Sequence, residues 1–115
     1  MAIPSGSGTE VLKRATYDGN LNTAPVIING VANHIYTILT ITMCEASSSA
    51  ETISIYIEPS GSGQVLLYRD IVLPTAGTFV VNDKFVMTGT DHLVLYSSNT
   101  SNIDCLVSYI DQDWT

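Results

Sequence analysis

Charge is scarce in this sequence, and positive charge is the scarcest. Four bases, Lys13, Arg14, Arg69 and Lys84, stand against eleven acids, for a formal net charge of −7, and charged residues make up only 13% of the chain. Binding to a nucleic-acid backbone draws on clustered Lys and Arg that neutralise phosphates, so four scattered bases argue against that partner. The same shortage argues against an anionic membrane surface. Long apolar runs are also missing, since no stretch approaches the roughly 18 residues needed to span a bilayer. Only two cysteines occur, Cys44 and Cys105, and their wide separation makes neither a zinc nor a redox motif.

The usual marks of chemistry are missing as well. There is no G-x-S-x-G elbow. The Ser-Gly tracts lack the Lys-Ser/Thr ending and the following helix that make a phosphate cradle. A metal site needs three or four convergent ligands, and His34 and His92 have no such neighbours at suitable spacing. Asp91 and His92 cannot cooperate if both lie in a strand, because adjacent strand residues point to opposite faces. Asp111 and Asp113 read most simply as solvated or interface charges. These absences predict a protein that is not an enzyme and needs no metal or cofactor.

What is present is a hydrophobic fraction of 45% with Ser, Thr, Asn and Gly filling most of the remainder. Disordered chains show the opposite profile, and 115 residues suit one core. The periodicity is two almost throughout. In NHIYTILTITMCE (33–45), Ile35, Leu39, Ile41 and Met43 fall on one face and His34, Tyr36, Thr40 and Thr42 on the other. A small-residue turn at 46–50 leads into ETISIYIE (51–58), and the two runs read as a long β-hairpin. Further strands are expected at TEVLKRATY, PVII, QVLLYRDIVL, 78–81, 85–87, HLVLYSS and NIDCLVSYIDQ, with Asn82-Asp83 as a tight turn between two of them. No segment reads as a helix. PSGSG occurs at 4–8 and again at 59–63, which we read as reuse of turn chemistry rather than duplication.

The expected fold is therefore all-β, a single antiparallel β-sandwich of about eight strands, jelly-roll-like or immunoglobulin-like. Residues 9–115 form the sandwich and 1–8 a flexible Pro/Gly/Ser arm. That arm has no basic start and no apolar run, so it does not read as a signal peptide, and Sec-type export is not expected. The cysteines lie in apolar strand patterns and read as two buried free thiols, the alternative being a disulfide between strands. Tyr17, Tyr36, Tyr56, Tyr68, Tyr96 and Tyr109 either line a sugar-binding face or belong to ordinary sheet packing.

Candidate binding residues lie at the two ends. Ile3 and Pro4 belong to the arm, Lys13-Arg14 is the one basic pair, and Trp114 is the sole tryptophan. Trp114 either folds back on its own domain or serves as an interface anchor.

The stretches MAIPSGSGTEVLKR, LPTAGTFVVNDKFVMTGTDHLVL and VSYIDQDW resemble small β-sandwich structural proteins of tailed bacteriophages. The resemblance runs over most of the chain, but its motifs are structural turns, and it carries no catalytic residue. It implies a virion part made in the host cytoplasm. The leading expectation is a capsid decoration (cement) protein on the outer surface of the head, bound to the major capsid protein or another virion protein through the arm and the Trp114 end. A homotrimer is the natural symmetry on an icosahedral shell. The alternatives are a neck, tail or fibre-associated component, and a virion module that binds host glycans.

Overall fold

The computed structural model describes residues 8–18, 20–21, 25–46, 49–97 and 101–114. Nearly all of the arm, including Ile3 and Pro4, lies outside the described residues. The strands are β1 (Thr9–Tyr17), β2 (Asn20–Leu21), β3 (Val26–Asn29), β4 (His34–Glu45), β5 (Glu51–Glu58), β6 (Val65–Leu73), β7 (Thr78–Val81), β8 (Phe85–Thr88), β9 (His92–Ser97) and β10 (Ser101–Asp113), with one 3-10 turn at Pro59–Gly61.

Two sheets form. One runs β1-β10-β4-β7, with β2 continuing the β1 edge along β10 and β8 continuing the β7 edge along β4. The other runs β3-β9-β5-β6. All pairs are antiparallel. The pairs nest along the chain, β1 with β10, β3 with β9, β4 with β7 and β8, and β5 with β6, alternating between the sheets. That is a long hairpin wrapped into a double Greek key, the jelly roll, and not the immunoglobulin-like order.

Two sequence expectations are corrected by this pairing. β4 and β5 do not form a hairpin: β4 pairs with β10, β7 and β8, whereas β5 pairs with β6 and β9 in the other sheet. Residues 46–50 carry the chain from one sheet to the other, which lets both strands cover opposite sides of one core. Asn82-Asp83 does not reverse the chain either. Val81 sits opposite Ile41 and Phe85 opposite Ile38, so β7 and β8 are one edge strand interrupted at 82–84.

The phase of β4 is a third difference. Ser108 of β10 pairs with Thr40 and Tyr109 pairs with Ile38, which leaves Leu39 as an extra residue, a β-bulge. Before it the even positions face inward, with Tyr36 4% and Ile38 0% exposed. After it the odd positions do, with Ile41 and Met43 both at 0%. Leu39 is thus excluded from the core face that simple alternation assigned to it. The core lies between the sheets, with Ile53, Ile55, Leu93 and Leu95 opposing Ile38, Ile41, Met43, Ile103 and Val107. Each such side chain, fully buried, stabilises the fold by about 1.5–3 kcal/mol.

Tight loops close the ends. The amide of Gly30 donates to the Asp91 carbonyl at 2.9 Å, and a Cβ on Gly30 would lie 2.3 Å from the Gly89 carbonyl oxygen, so the close approach requires glycine. Asp91 is a structural staple: its carboxylate accepts from the amides of Ser60 and Thr88, both at 3.0 Å.

Candidate assembly surfaces and a polar cluster

β1 is an edge strand that the fold leaves largely uncovered. From Thr9 to Arg14 every residue is exposed, on both faces of the strand. Val11 is 46% and Leu12 71% exposed, although alternation puts them on opposite sides. β1 pairs with β10 without a bulge from Thr9↔Asp113 to Tyr17↔Cys105, and among the described residues no strand pairs with its other edge. Natural edges are commonly blunted by bulges or interruptions. β6 carries register shifts and the β7–β8 edge is broken, whereas β1 is straight.

The outer face of the same sheet carries Glu10, Arg14 and Asp104, separated by two uncharged rows. In register across it lie Leu12, Ile110, Thr37 and Val86, and then Thr16, Leu106, Thr42 and Val80. The bulge turns Leu39 onto this face, where Leu12, Arg14, Leu39 and Ser108 line a shallow hollow of about 400 Å³. A second hollow, about 390 Å³, is lined by Thr16, Thr42, Cys44 and Leu106 together with the acids Asp18 and Asp104.

The basic pair is divided by strand geometry. Arg14 is exposed beside the first hollow. Lys13 points to the other face, where its Nζ donates to Asp111 Oδ2 at 2.8 Å. Asp111 is only 5% exposed, and its Oδ1 lies 2.7 Å from His34 Nδ1, while His34 Nε2 lies 3.5 Å from Asp113 Oδ1. Burial pushes the Asp111 carboxyl up, but the hydrogen bonds from Lys13 and His34 outweigh it and hold the group below the usual carboxylate range. The bond to Asp111 in turn raises Lys13 above the usual lysine value. His34 stacks on Tyr36, with ring centroids 5.8 Å apart, and Tyr36 lies 6.0 Å from Tyr109.

Asp111 is therefore not solvated, which was one of the two readings the sequence left open for it. The signal was available: in NIDCLVSYIDQ it falls in phase with Val107 and Tyr109, a carboxylate on an inward face. A His–Asp contact invites comparison with a catalytic dyad, but both ring nitrogens face carboxylates. The cluster ties β1, β4 and β10 together at one end of the sheet. Among the described residues no group of three or more His, Cys, Asp or Glu is placed to hold a metal ion.

Trp114 lies at the same end. It is half-buried, and its amide donates to the Asn33 carbonyl at 3.0 Å. The indole packs so close to Gly8 that a Cβ there would lie 2.9 Å from the ring. Its Nε1 is buried and has no hydrogen-bond partner among the described residues. The structure thus brings Lys13 and Trp114 to one end of the sheet and sets Arg14 on the outer face.

The cysteines differ from the expected buried pair. Cys105 is buried in the core, and desolvation pushes its thiol up to about 12, but Cys44 is exposed. Cys44 follows the bulge, so it takes the outward phase. It neighbours Asp104 in register and points away from Cys105, and both thiols are free. The tyrosines do not share one face. Tyr68 packs edge-on against Phe79 and donates to Asp83, and only Tyr56 and Tyr96 stand together on the outer face of the second sheet.

The sequence matches no family model and no curated protein. Among solved structures, a protein of Bacillus endospore appendages, which form disulfide-linked pili, has a TM-score of 0.61 at 14% identity, covering 100% of this chain and 97% of that one. A chain of infectious bursal disease virus, Gx strain, has a TM-score of 0.62 at 10% identity, covering 95% of this chain. This chain spans 34% of that one's length. Identities this low establish a shared fold.

Proposed function

We propose that this jelly roll is a non-enzymatic structural protein of a virion, and specifically a decoration protein bound to the major capsid protein lattice on the outside of the head. The observation that carries the reading is β1, an unbulged edge strand with apolar residues exposed on both faces, next to a sheet face on which two cross-strand rows carry no charge. Contiguous exposed apolar surface marks protein contacts, and covering it desolvates few charged groups. The tailed-phage resemblance and the origin of the two well-superposed neighbours, a pilus and a virus, favour a repeated assembly part over a solitary binding domain. In this reading Leu12, Arg14 and the Leu39 hollow meet the capsid protein, the arm with Ile3 and Pro4 extends the contact from the Lys13 and Trp114 end, and three copies associate at each site.

Two experiments test it. Immunogold labelling of purified particles should mark the whole head; label confined to one vertex or to the tail would replace decoration with a neck, tail or fibre role. Leu12→Asp, at a 71% exposed position, should leave the melting temperature within a few degrees of wild type and weaken particle binding at least tenfold. Wild-type binding by that variant would remove β1 from the contact.

A further inference from the structure

The outer face of the second sheet carries a groove of about 580 Å³, within the range of small-ligand sites. Its apolar part is made by Tyr56, Tyr96 and Leu66, and its polar part by Ser54, Gln64 and the Arg69-Asp70 pair. Tyr56 is 5% exposed in the floor, and Tyr96 stands 43% exposed beside it. Ser54 and Tyr96 are cross-strand partners, and so are Tyr56 and Leu66, which holds the four side chains on one rigid face.

The rim is shaped by a distortion. β6 slips register against β5 twice, pairing Ile71 with Ile53, Tyr68 with Ile55 and Leu66 with Tyr56. Within the first slip Asp70 takes a left-handed backbone, φ 53°, fixed by its amide donating to Ser54 Oγ at 3.0 Å. A non-glycine residue in that region costs on the order of 1 kcal/mol, and here it turns Arg69 and Asp70 into the groove. Arg69 Nε lies 3.5 Å from Asp70 Oδ2.

We propose that this groove binds a neutral pyranose, as the terminal or internal sugar of a glycan. A sugar ring has one apolar face of C–H groups and an equatorial rim of hydroxyls. Tyr96 and Leu66 offer the flat apolar surface. Asp70 accepts from, and Arg69 and Gln64 donate to, adjacent hydroxyls, in the two-pronged geometry that planar polar groups favour. The charge balance selects against an ionic ligand, because one cation and one anion sit side by side. An extended peptide is disfavoured too: adding a strand to β6 needs a regular ladder, and the two slips interrupt it. This site lies on the sheet opposite β1, so it leaves the proposed assembly face free.

The test is a titration of the ¹⁵N-labelled full chain with neutral oligosaccharides of galactose, glucose, mannose and N-acetylglucosamine, followed by amide shifts. Saturable shifts at Tyr56, Leu66, Arg69, Asp70 and Tyr96 with at least one of these are expected. Tyr96→Ala and, separately, Asp70→Gly should each weaken the response at least tenfold, with the remaining spectrum retained as proof of folding. Both variants should still bind particles, which separates this proposal from the assembly reading. No saturable shift with any of these sugars, shifts elsewhere on the chain, shifts undiminished in both variants, or a response confined to a sialylated or sulfated oligosaccharide would overturn it.

Discussion

Deleting Leu39 should be tolerated, whereas deleting Thr42, three residues on in the same strand, should not. Leu39 is the extra residue opposite Ser108 and Tyr109, so its removal joins Ile38 to Thr40 and restores strict alternation: Tyr36, Ile38, Ile41 and Met43 keep their inward positions. The loss is the half-buried Leu39 side chain on the outer face, about 1 kcal/mol. Removing Thr42 instead puts the two halves of β4 out of phase. If the first half holds, Met43, which is 0% exposed, turns outward, and the buried Glu45 carboxylate loses its acceptance of the Ala76 amide at 2.9 Å. If the second half holds and the bulge closes around Leu39, Ile41, 0% exposed, turns outward and the Thr40 hydroxyl turns into the core. Either route costs about 3–6 kcal/mol, a large share of the 5–15 kcal/mol typical of a domain. Urea denaturation followed by far-UV circular dichroism measures both. Equal losses for the two deletions, or a Thr42 deletion as stable as wild type, would refute the bulge as the origin of the phase change.

Asp111 sets an acid limit on stability. Its folded carboxyl lies below the ordinary carboxylate value of 3.8, so the stabilisation is fully present above that value and is lost as pH falls through the folded one. The wild-type urea midpoint should therefore hold from pH 6 down to that ordinary value and fall below it, and Asp111→Asn should lower the pH 6 midpoint and flatten the fall; an unchanged slope would exclude this carboxylate as the source. Thiol labelling should count one fast cysteine in the folded protein and two in urea. Cys44 is the fast one, so Cys44→Ser should abolish labelling under native conditions, and rapid labelling of Cys105, held near 12 by burial, would contradict the core described above.

Much of the strand map was legible in the sequence. The bounds of β1, β5 and β7 coincide with TEVLKRATY, ETISIYIE and 78–81, because alternation and turn residues are local signals. The candidate site residues were less legible. Lys13 and Arg14 read as the one basic pair, but strand geometry sends them to opposite faces and Asp111 engages Lys13. The Tyr56–Tyr96 groove was hidden among six tyrosines, because only strand pairing shows which of them share a face.

By itself, then, the sequence determined an all-β chain with little charge, the places where its strands run, and the lack of a basic footprint for nucleic acid. Tertiary structure alone decided that β4 and β5 part into different sheets, that a bulge takes Leu39 off the core face, and that β1 is left uncovered. The physical reason is range. Alternation is a property of neighbouring residues, whereas a strand's partner, its bulges and hence the facing of every side chain beyond them depend on register with segments such as β10, far along the chain from β4.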